Sequence, residues 1–449
     1  MRGALFLVLY LSMIPAALSA AHVGLMFYMW ASLIAPNIFT FGQLEFIPYS
    51  KIAIAIALIA ILNEKTRIKV YFDTYFLFVI AFVLQCVISF SFSITHTDQF
   101  YTVADRGWKI AILCFLMNPA LKGRLQIHSV VLVIGVTMGV QGAMEGLKYL
   151  ISGGGHNMIP PGNFGDNNSF GLFVLMTLPL LMYLFRYTVN PFVRLAILGV
   201  LLINVVTVIG TGSRGAFLGI VAVSLALIAQ SKRRIPVLFM VAAVGASVAW
   251  FVPAKVFARV DTIETAGEDG SVLGRVRAWK LNTLVALDRP FTGGGFSSME
   301  DRSVWIEYLP KFSSLDFIPT GPPDYPRAAH SIYFQVLGDT GFGGLFFYLG
   351  ILTTTFLSLR SIRKLTVGNP TLGWAYDLAG SLRLVMIALV IAGAALSVTF
   401  YDLPFIVFTL VSVLHHTVRD EVAVISPRAR PSVSIRKVVL GRRKIAGAT

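Results

Sequence analysis

The chain is short of charge. Asp, Glu, Lys and Arg make up 13% of its 449 residues, about half the roughly 25% of an ordinary soluble protein. With 56% hydrophobic residues, most of the surface must face lipid rather than water. Cysteine is scarce as well. Cys86 and Cys114 both sit in apolar runs and read as small buried hydrophobes, which excludes a disulfide framework or a thiolate metal site. There is no Asp-x-Asp pair to hold a divalent ion on a phosphate, and no pair of Gly/Pro-broken segments recurs in two halves as in many transporters.

What the sequence has is apolar stretches long enough to cross about 30 Å of hydrocarbon. They fall near 3–20, 22–37, 47–63, 71–93, 104–120, 126–150, 168–186, 192–210, 213–230, 235–252, 330–358, 380–400 and 402–416. The expected fold is all-α, a polytopic transmembrane helical bundle of about 12 spans, twelve or thirteen by this reading. Residues 1–20 also resemble a signal peptide; a first span or half-span is the preferred reading.

The net charge of +15 is unevenly placed. One set of connectors is basic: Lys65, Arg67 and Lys69; Lys122 and Arg124; Arg186 and Arg194; Lys232 to Arg234; Arg360, Arg363 and Lys364. By the positive-inside rule these are cytoplasmic, as is the basic tail at 418–449, an anchor on anionic lipid rather than a nucleic-acid site because no aromatics interleave with its charges. The alternate connectors are then external. The longest, 253–329, is nearly neutral, with nine basic and ten acidic residues. The chain thus divides into a bundle at 1–252, a long, partly helical periplasmic loop at 253–329, and a second part of the bundle at 330–417, ahead of the tail.

Three external clusters can carry chemistry. Gly210-Thr211-Gly212-Ser213-Arg214-Gly215 joins two spans almost without a loop. It reads either as a tight turn with a snorkelling arginine or as an anion site, with Ser213 and Arg214 at a helix N-terminus. Val272 to Leu287 has the spacing of an amphipathic helix, with Arg275 and Trp279 four apart on one face. It suits an interfacial helix on the membrane, or a second phosphate ligand, Arg275, packed on Trp279. His330 opens a span on its external side, followed by Gly338, Gly341, Gly343 and Gly344. Asp166-Asn167-Asn168-Ser169 reads as a helix cap, with hydrogen bonding to a sugar as the alternative.

Thr211-Gly212-Ser213-Arg214-Gly215-Ala216, Gly274-Arg275 with Trp279, Pro290 with Gly293-Gly294-Gly295, and His330-Ser331 with Gly338 and Gly341 together resemble the O-antigen ligase family over roughly 160–350. That family also holds O-antigen polymerases and protein O-oligosaccharyltransferases. Asp166 to Ser169 and Pro326 to Ser331 look most like its ligase-like branch found near exosortase genes; many members have His-Asn where this chain has His330-Ser331.

The resemblance implies a donor glycan on undecaprenyl diphosphate, a lipid A–core acceptor and a multi-pass protein of the bacterial inner membrane with its site facing the periplasm. For such a donor and a hydroxyl acceptor the chemistry points to Arg214 and Arg275 as catalytic residues that stabilise the leaving diphosphate and His330 as the base, with Ser213, Trp279, Asn167, Asn168 and Arg327 expected to bind substrate. No metal or other cofactor and no nucleic acid is expected. A transporter or flippase would place its charged residues deep in the spans instead.

Overall fold

The computed structural model describes residues 2–64, 70–158, 164–251, 270–315 and 319–425. Every regular element among them is helical. The helices are α1 (Arg2–Ser19), α2 (Ala21–Ile34), α3 (Tyr49–Leu62), α4 (Thr74–Ser91), α5 (Asp98–Ala120), α6 (Arg124–Ile151), α7 (Asn167–Tyr187), α8 (Pro191–Gly210), α9 (Arg214–Gln230), α10 (Arg234–Phe251), α11 (Gly270–Asp288), α12 (Arg302–Tyr308), α13 (Ile332–Thr366), α14 (Gly373–Ala392) and α15 (Asp402–Ile425).

Local chemistry starts several of these helices. Asp73, Thr97, Asp166, Asn190, Ser213 and Ser331 each take a backbone N–H of the first turn on a side-chain oxygen, satisfying donors that have no partner within the helix. Pro191 follows its cap at the first helical position, where a missing N–H costs nothing.

Among the described residues, six helices are long and apolar enough to cross a membrane: Thr74–Ser91, Arg124–Ile151, Asn167–Tyr187, Pro191–Gly210, Ile332–Thr366 and Pro370–Ala395. Shorter apolar helices occupy Gly3–Ser19, Ala21–Ile34, Tyr49–Leu62, Arg214–Gln230 and Arg234–Ala246. The architecture is that of a multi-pass membrane protein. Several bounds differ from the expected spans. The 104–120 span begins at Asp98, where Thr97 caps it; the 330–358 span runs on to Thr366; the 380–400 span stops at Ala392, where a tight turn over Gly393–Ala395 takes over; and the last helix reaches Ile425. Residues 252–269 and 316–318 of the long loop, and the tail from 426 on, with its basic run, lie outside the described residues.

The core is one continuous apolar cluster through α2, α4 to α7 and α13 to α15, and α14 packs between α7 and α9. The basic connectors gather at one end. Arg186 pairs with Asp377 at 3.1 Å, Arg363 donates to Gln230 at 3.0 Å, and the Arg124 guanidinium lies 5.4 Å over Trp374. The other end of α13, some 50 Å away at ~1.5 Å per residue, carries His330.

The loop between α10 and α13 has a small core of its own, Leu281, Leu284, Val285, Met299, Val304, Trp305, Tyr308 and Phe312. It docks on α13 at a break in that helix. Gly341 has φ +72° and ψ −171°, which no helix tolerates. The glycine-rich stretch after α11 takes up the freed backbone groups: Gly294 N–H donates to Gly338 C=O (2.8 Å), Gly295 N–H to Asp339 C=O (3.1 Å), and Phe342 N–H to Pro290 C=O (2.9 Å). Gln85 on α4 donates to Thr340 C=O at 3.0 Å. In a membrane-crossing helix such groups must find protein partners, because lipid offers none. The amphipathic helix α11 is thus seated on α13, where Asn282 lies against Gly338, rather than lying freely on a membrane surface.

A Cβ at Gly341 would stand 2.5 Å from the Pro290 carbonyl oxygen and 3.1 Å from the Gly293 nitrogen, at a φ that L-residues avoid. Gly341→Ala should therefore cost on the order of 2–4 kcal/mol, seen as a lower melting temperature in detergent. A wild-type melting curve would show that the break does not hold the loop.

Candidate active site

His330 stands at the mouth of α13 with φ +46°, a left-handed conformation that costs a non-glycine residue roughly 1–2 kcal/mol. It is held there from outside its own helix: its N–H donates to the Ser397 hydroxyl at 2.7 Å, and Thr399 binds back to α13 through Gln335 Oε1 (3.2 Å) and the Ile332 carbonyl (3.1 Å). The turn after α14 thus pins the histidine.

Two guanidiniums and a carboxylate act on its ring. Burial first, then the Arg275 charge, push the imidazole below its ordinary value of 6.5; Asp166 opposes the fall and Arg327 adds to it. At neutral pH the ring is therefore neutral and able to accept a proton.

The local sequence explains this gathering. Arg275 rides on α11, and Trp279 one turn on stacks face to face on Phe334 of α13, with centroids 5.0 Å apart and planes 9° apart. Phe334 is itself one turn beyond His330, so the stack sets the two helices in register. Gly274 leaves room for Arg327: a Cβ there would lie 2.3 Å from a guanidinium nitrogen, and the guanidinium sits 4.1 Å over the Tyr325 ring. Arg327 also lines a small polar cavity with Asn282, Glu300, Gln335, Asp339 and Ser397.

Arg214 begins α9 on the other side of the same turn. A Cβ added at its neighbour Gly215 would meet the Ala392 carbonyl oxygen at 3.4 Å and the Ala395 side chain at 3.7 Å, so the start of α9 lies beside the turn that follows α14 and holds His330. Ser213 is buried and caps α9 through Ala216 N–H at 3.2 Å. Asn167 donates to the Thr211 carbonyl at 2.8 Å, tying the start of α7 to the Gly210–Gly215 turn. Ser213 and Asn167, read as sugar or phosphate binders, thus hold scaffold bonds here, and Trp279 gives its face to Phe334. Asn168 stands half-exposed one residue further along. Sequence reading missed Ser397 and the influence of Asp166 on the histidine: Ser397 carries no motif, and Asp166 looked like a cap, which it also is, with Ser169 N–H at 2.7 Å.

The structure therefore brings Arg275, Arg327, His330 and Asp166 together and sets Arg214 across one turn from them. This is a multi-pass membrane protein with a cationic site at one end of its bundle, and part of the chain matches a known family. Residues 171–349, which hold Arg214, Arg275, Arg327 and His330, match the family model described as O-antigen ligase and form a domain of that family, whose members are enzymes of glycosyl transfer. Residues 1–189 match a family of unknown function. No curated protein matches the sequence.

Only a neutral imidazole reacts with diethyl pyrocarbonate, so the pH dependence of modification at His330, followed by peptide mass spectrometry, reads its protonation directly. Arg327→Gln removes a cation and should move the acid limb to higher pH; Asp166→Asn should move it lower. Coincident profiles for the three proteins would contradict the electrostatic picture.

Proposed function

We propose that the protein is an O-antigen ligase, moving a glycan from undecaprenyl diphosphate to lipid A–core oligosaccharide on the periplasmic face of the inner membrane. The observation that carries this reading is His330, strained, half-buried and kept neutral beside Arg275. Positive charge next to a neutral base suits a reaction with a diphosphate leaving group and a hydroxyl nucleophile.

The acceptor hydroxyl attacks the anomeric carbon, and its proton passes to the His330 imidazole. The C–O bond to the diphosphate breaks as the new glycosidic bond forms. The departing lipid diphosphate takes the electron pair, and its charge is stabilised by Arg214 and Arg275, whose planar guanidiniums match phosphate oxygens in pairs. The step needs no metal and inverts the configuration. Arg327 assists by holding the imidazole neutral and by lining the acceptor side. Trp279 acts through packing, and Asn167 and Ser213 by fixing the turn that carries Arg214. Asn168 is the residue of that cluster offered to a sugar hydroxyl.

The Lys- and Arg-rich connectors at the far end favour a cytoplasmic placement for them and a periplasmic one for the site. A polymerase or a protein O-oligosaccharyltransferase would use the same donor chemistry with another acceptor. A deletion strain separates the readings: loss of a ligase leaves bare core with lipid-linked polymer accumulating, whereas loss of a polymerase leaves single repeat units on the core.

His330→Ala and His330→Gly should both abolish transfer, by a factor of about 10² or more, the usual contribution of a positioned base. Glycine tolerates the positive φ, so the glycine variant should melt above the alanine variant. Near-normal transfer by either would remove His330 as the base. Arg214→Lys should also be poor, because a point charge does not replace the fork.

A further inference from the structure

The stretch after α11 follows α4 down into the bundle and returns. The Arg289 guanidinium donates to the Phe92 carbonyl, just past the end of α4. Two residues on, the Phe291 carbonyl accepts from the Gln85 amide. Three residues further, the Gly294 carbonyl accepts from Ile94 N–H at 3.0 Å, again past the end of the helix. Gln85 lies six residues before Ser91, the last residue of α4, which is about 9 Å at ~1.5 Å per residue.

That depth is depth in a membrane. Thr74–Ser91 is one of the six helices apolar enough to cross a bilayer, and it has 18 residues. At ~27 Å it needs its whole length to cross about 30 Å of hydrocarbon. It runs antiparallel to α13, with Gln85 against Thr340 and Phe78 against Gly350, so Ser91 marks the hydrocarbon edge on the His330 side. Phe291 hangs below that edge.

The backbone of the turn is provided for such a place. Lipid offers no hydrogen bonds, so irregular backbone at this depth must be satisfied by protein. The Arg289 carbonyl accepts from Gly293 N–H at 2.9 Å, the Pro290 carbonyl from Phe342 N–H at 2.9 Å, and the Gly293 carbonyl from Arg289 Nε at 2.8 Å. With Phe291 and Gly294, five carbonyls of the turn are taken. Position 290 is a proline, which brings no N–H. A loop in water needs no such provision.

The side chain at the tip turns outward. Phe291 is 81% exposed. The two spans that hold it expose Leu84 and Ile88 on α4 and Phe342 and Phe346 on α13, so Phe291 continues a surface that faces acyl chains. Arg289 runs the other way, its head at the level of Phe92, as a cation near a membrane boundary does.

We propose that residues 289–294 form a re-entrant turn, with the Phe291 ring among the acyl chains of the leaflet on the His330 side and the Arg289 guanidinium at its polar boundary. The turn moors the loop that carries Arg275 and sets its depth in the membrane. The proposal goes beyond the glycan-transfer reading and stands without it, since it rests on α4, α13 and their contacts alone.

The test is a nitroxide placed at Phe291→Cys, at Phe346→Cys as the lipid reference and at Glu307→Cys, exposed on α12, as the aqueous one, each in dioleoylphosphatidylcholine vesicles. Cys86 and Cys114 are buried and leave the new thiol as the labelled one. A polar nickel chelate stays out of hydrocarbon, so its collision rate at position 291 should fall roughly threefold or more below that at 307, while collisions with dissolved oxygen match those at 346. A nickel rate within threefold of that at 307 overturns the proposal. Where Phe291→Cys does not fold, Phe291→Trp keeps an aromatic ring, and lipids brominated on their acyl chains should quench the emission it adds to wild type; added emission equally bright in brominated and ordinary vesicles overturns the proposal. Neither readout involves transfer, so a failed transfer assay leaves the result standing.

Discussion

A helix broken within a membrane bundle must find protein partners for the backbone groups it releases, since lipid supplies none. The break at Gly341 meets that demand with the stretch 290–295, whose own carbonyls and N–H groups replace the missing helical bonds. The rest of the site depends on this insertion. It anchors the end of α11 against α13, the Trp279–Phe334 stack then sets the two helices in register, and Arg275 arrives beside His330 as a consequence. The glycines of the motif serve the backbone rather than a ligand: at Gly293 an added Cβ would lie 2.6 Å from Asp339 and Thr340 backbone atoms.

The second constraint is electrostatic. Bringing Arg275 and Arg327 near one imidazole with a single carboxylate, Asp166, opposing them is unfavourable for any protonated histidine. The cost suits the proposed reaction, which calls for a neutral base next to an anion. In the same arrangement the Arg327 guanidinium packs directly over Gly274, where a side chain would make it shift. Strain at His330 belongs to the same account: its left-handed backbone persists because Ser397 and Thr399 hold it from a separate segment.

Much of this was legible in the amino-acid sequence, and the remainder was not for identifiable reasons. Apolar runs and their Ser, Thr, Asp and Asn caps announce helices because their determinants are local. The family likeness was legible in ordered motifs, and residues 171–349 bear it out. What sequence reading could not see were pairings across long separations, such as Gln85 with Thr340 or Ser397 with His330, since neither partner signals the other. Asn167 and Ser213 were read both as parts of helix starts and as substrate binders, because polar residues at a helix start serve caps and substrates alike. Phe291 escaped because it lies inside a stretch read as an external loop, and Gln85, which holds its carbonyl, is 206 residues away. The shift of the 380–400 span followed from Gly393, whose turn no hydropathy pattern marks.

The central claim is that Arg214, Arg275 and His330 surround one lipid-linked diphosphate. The direct measurement is an electron cryomicroscopy structure of the protein with an unreactive polyprenyl diphosphate sugar bound. The account predicts diphosphate oxygens within hydrogen-bond distance of both guanidiniums and the anomeric carbon facing the His330 imidazole. A diphosphate bound at the Arg186–Asp377 end of the bundle, or at the His330 end but out of reach of both arginines, would contradict it.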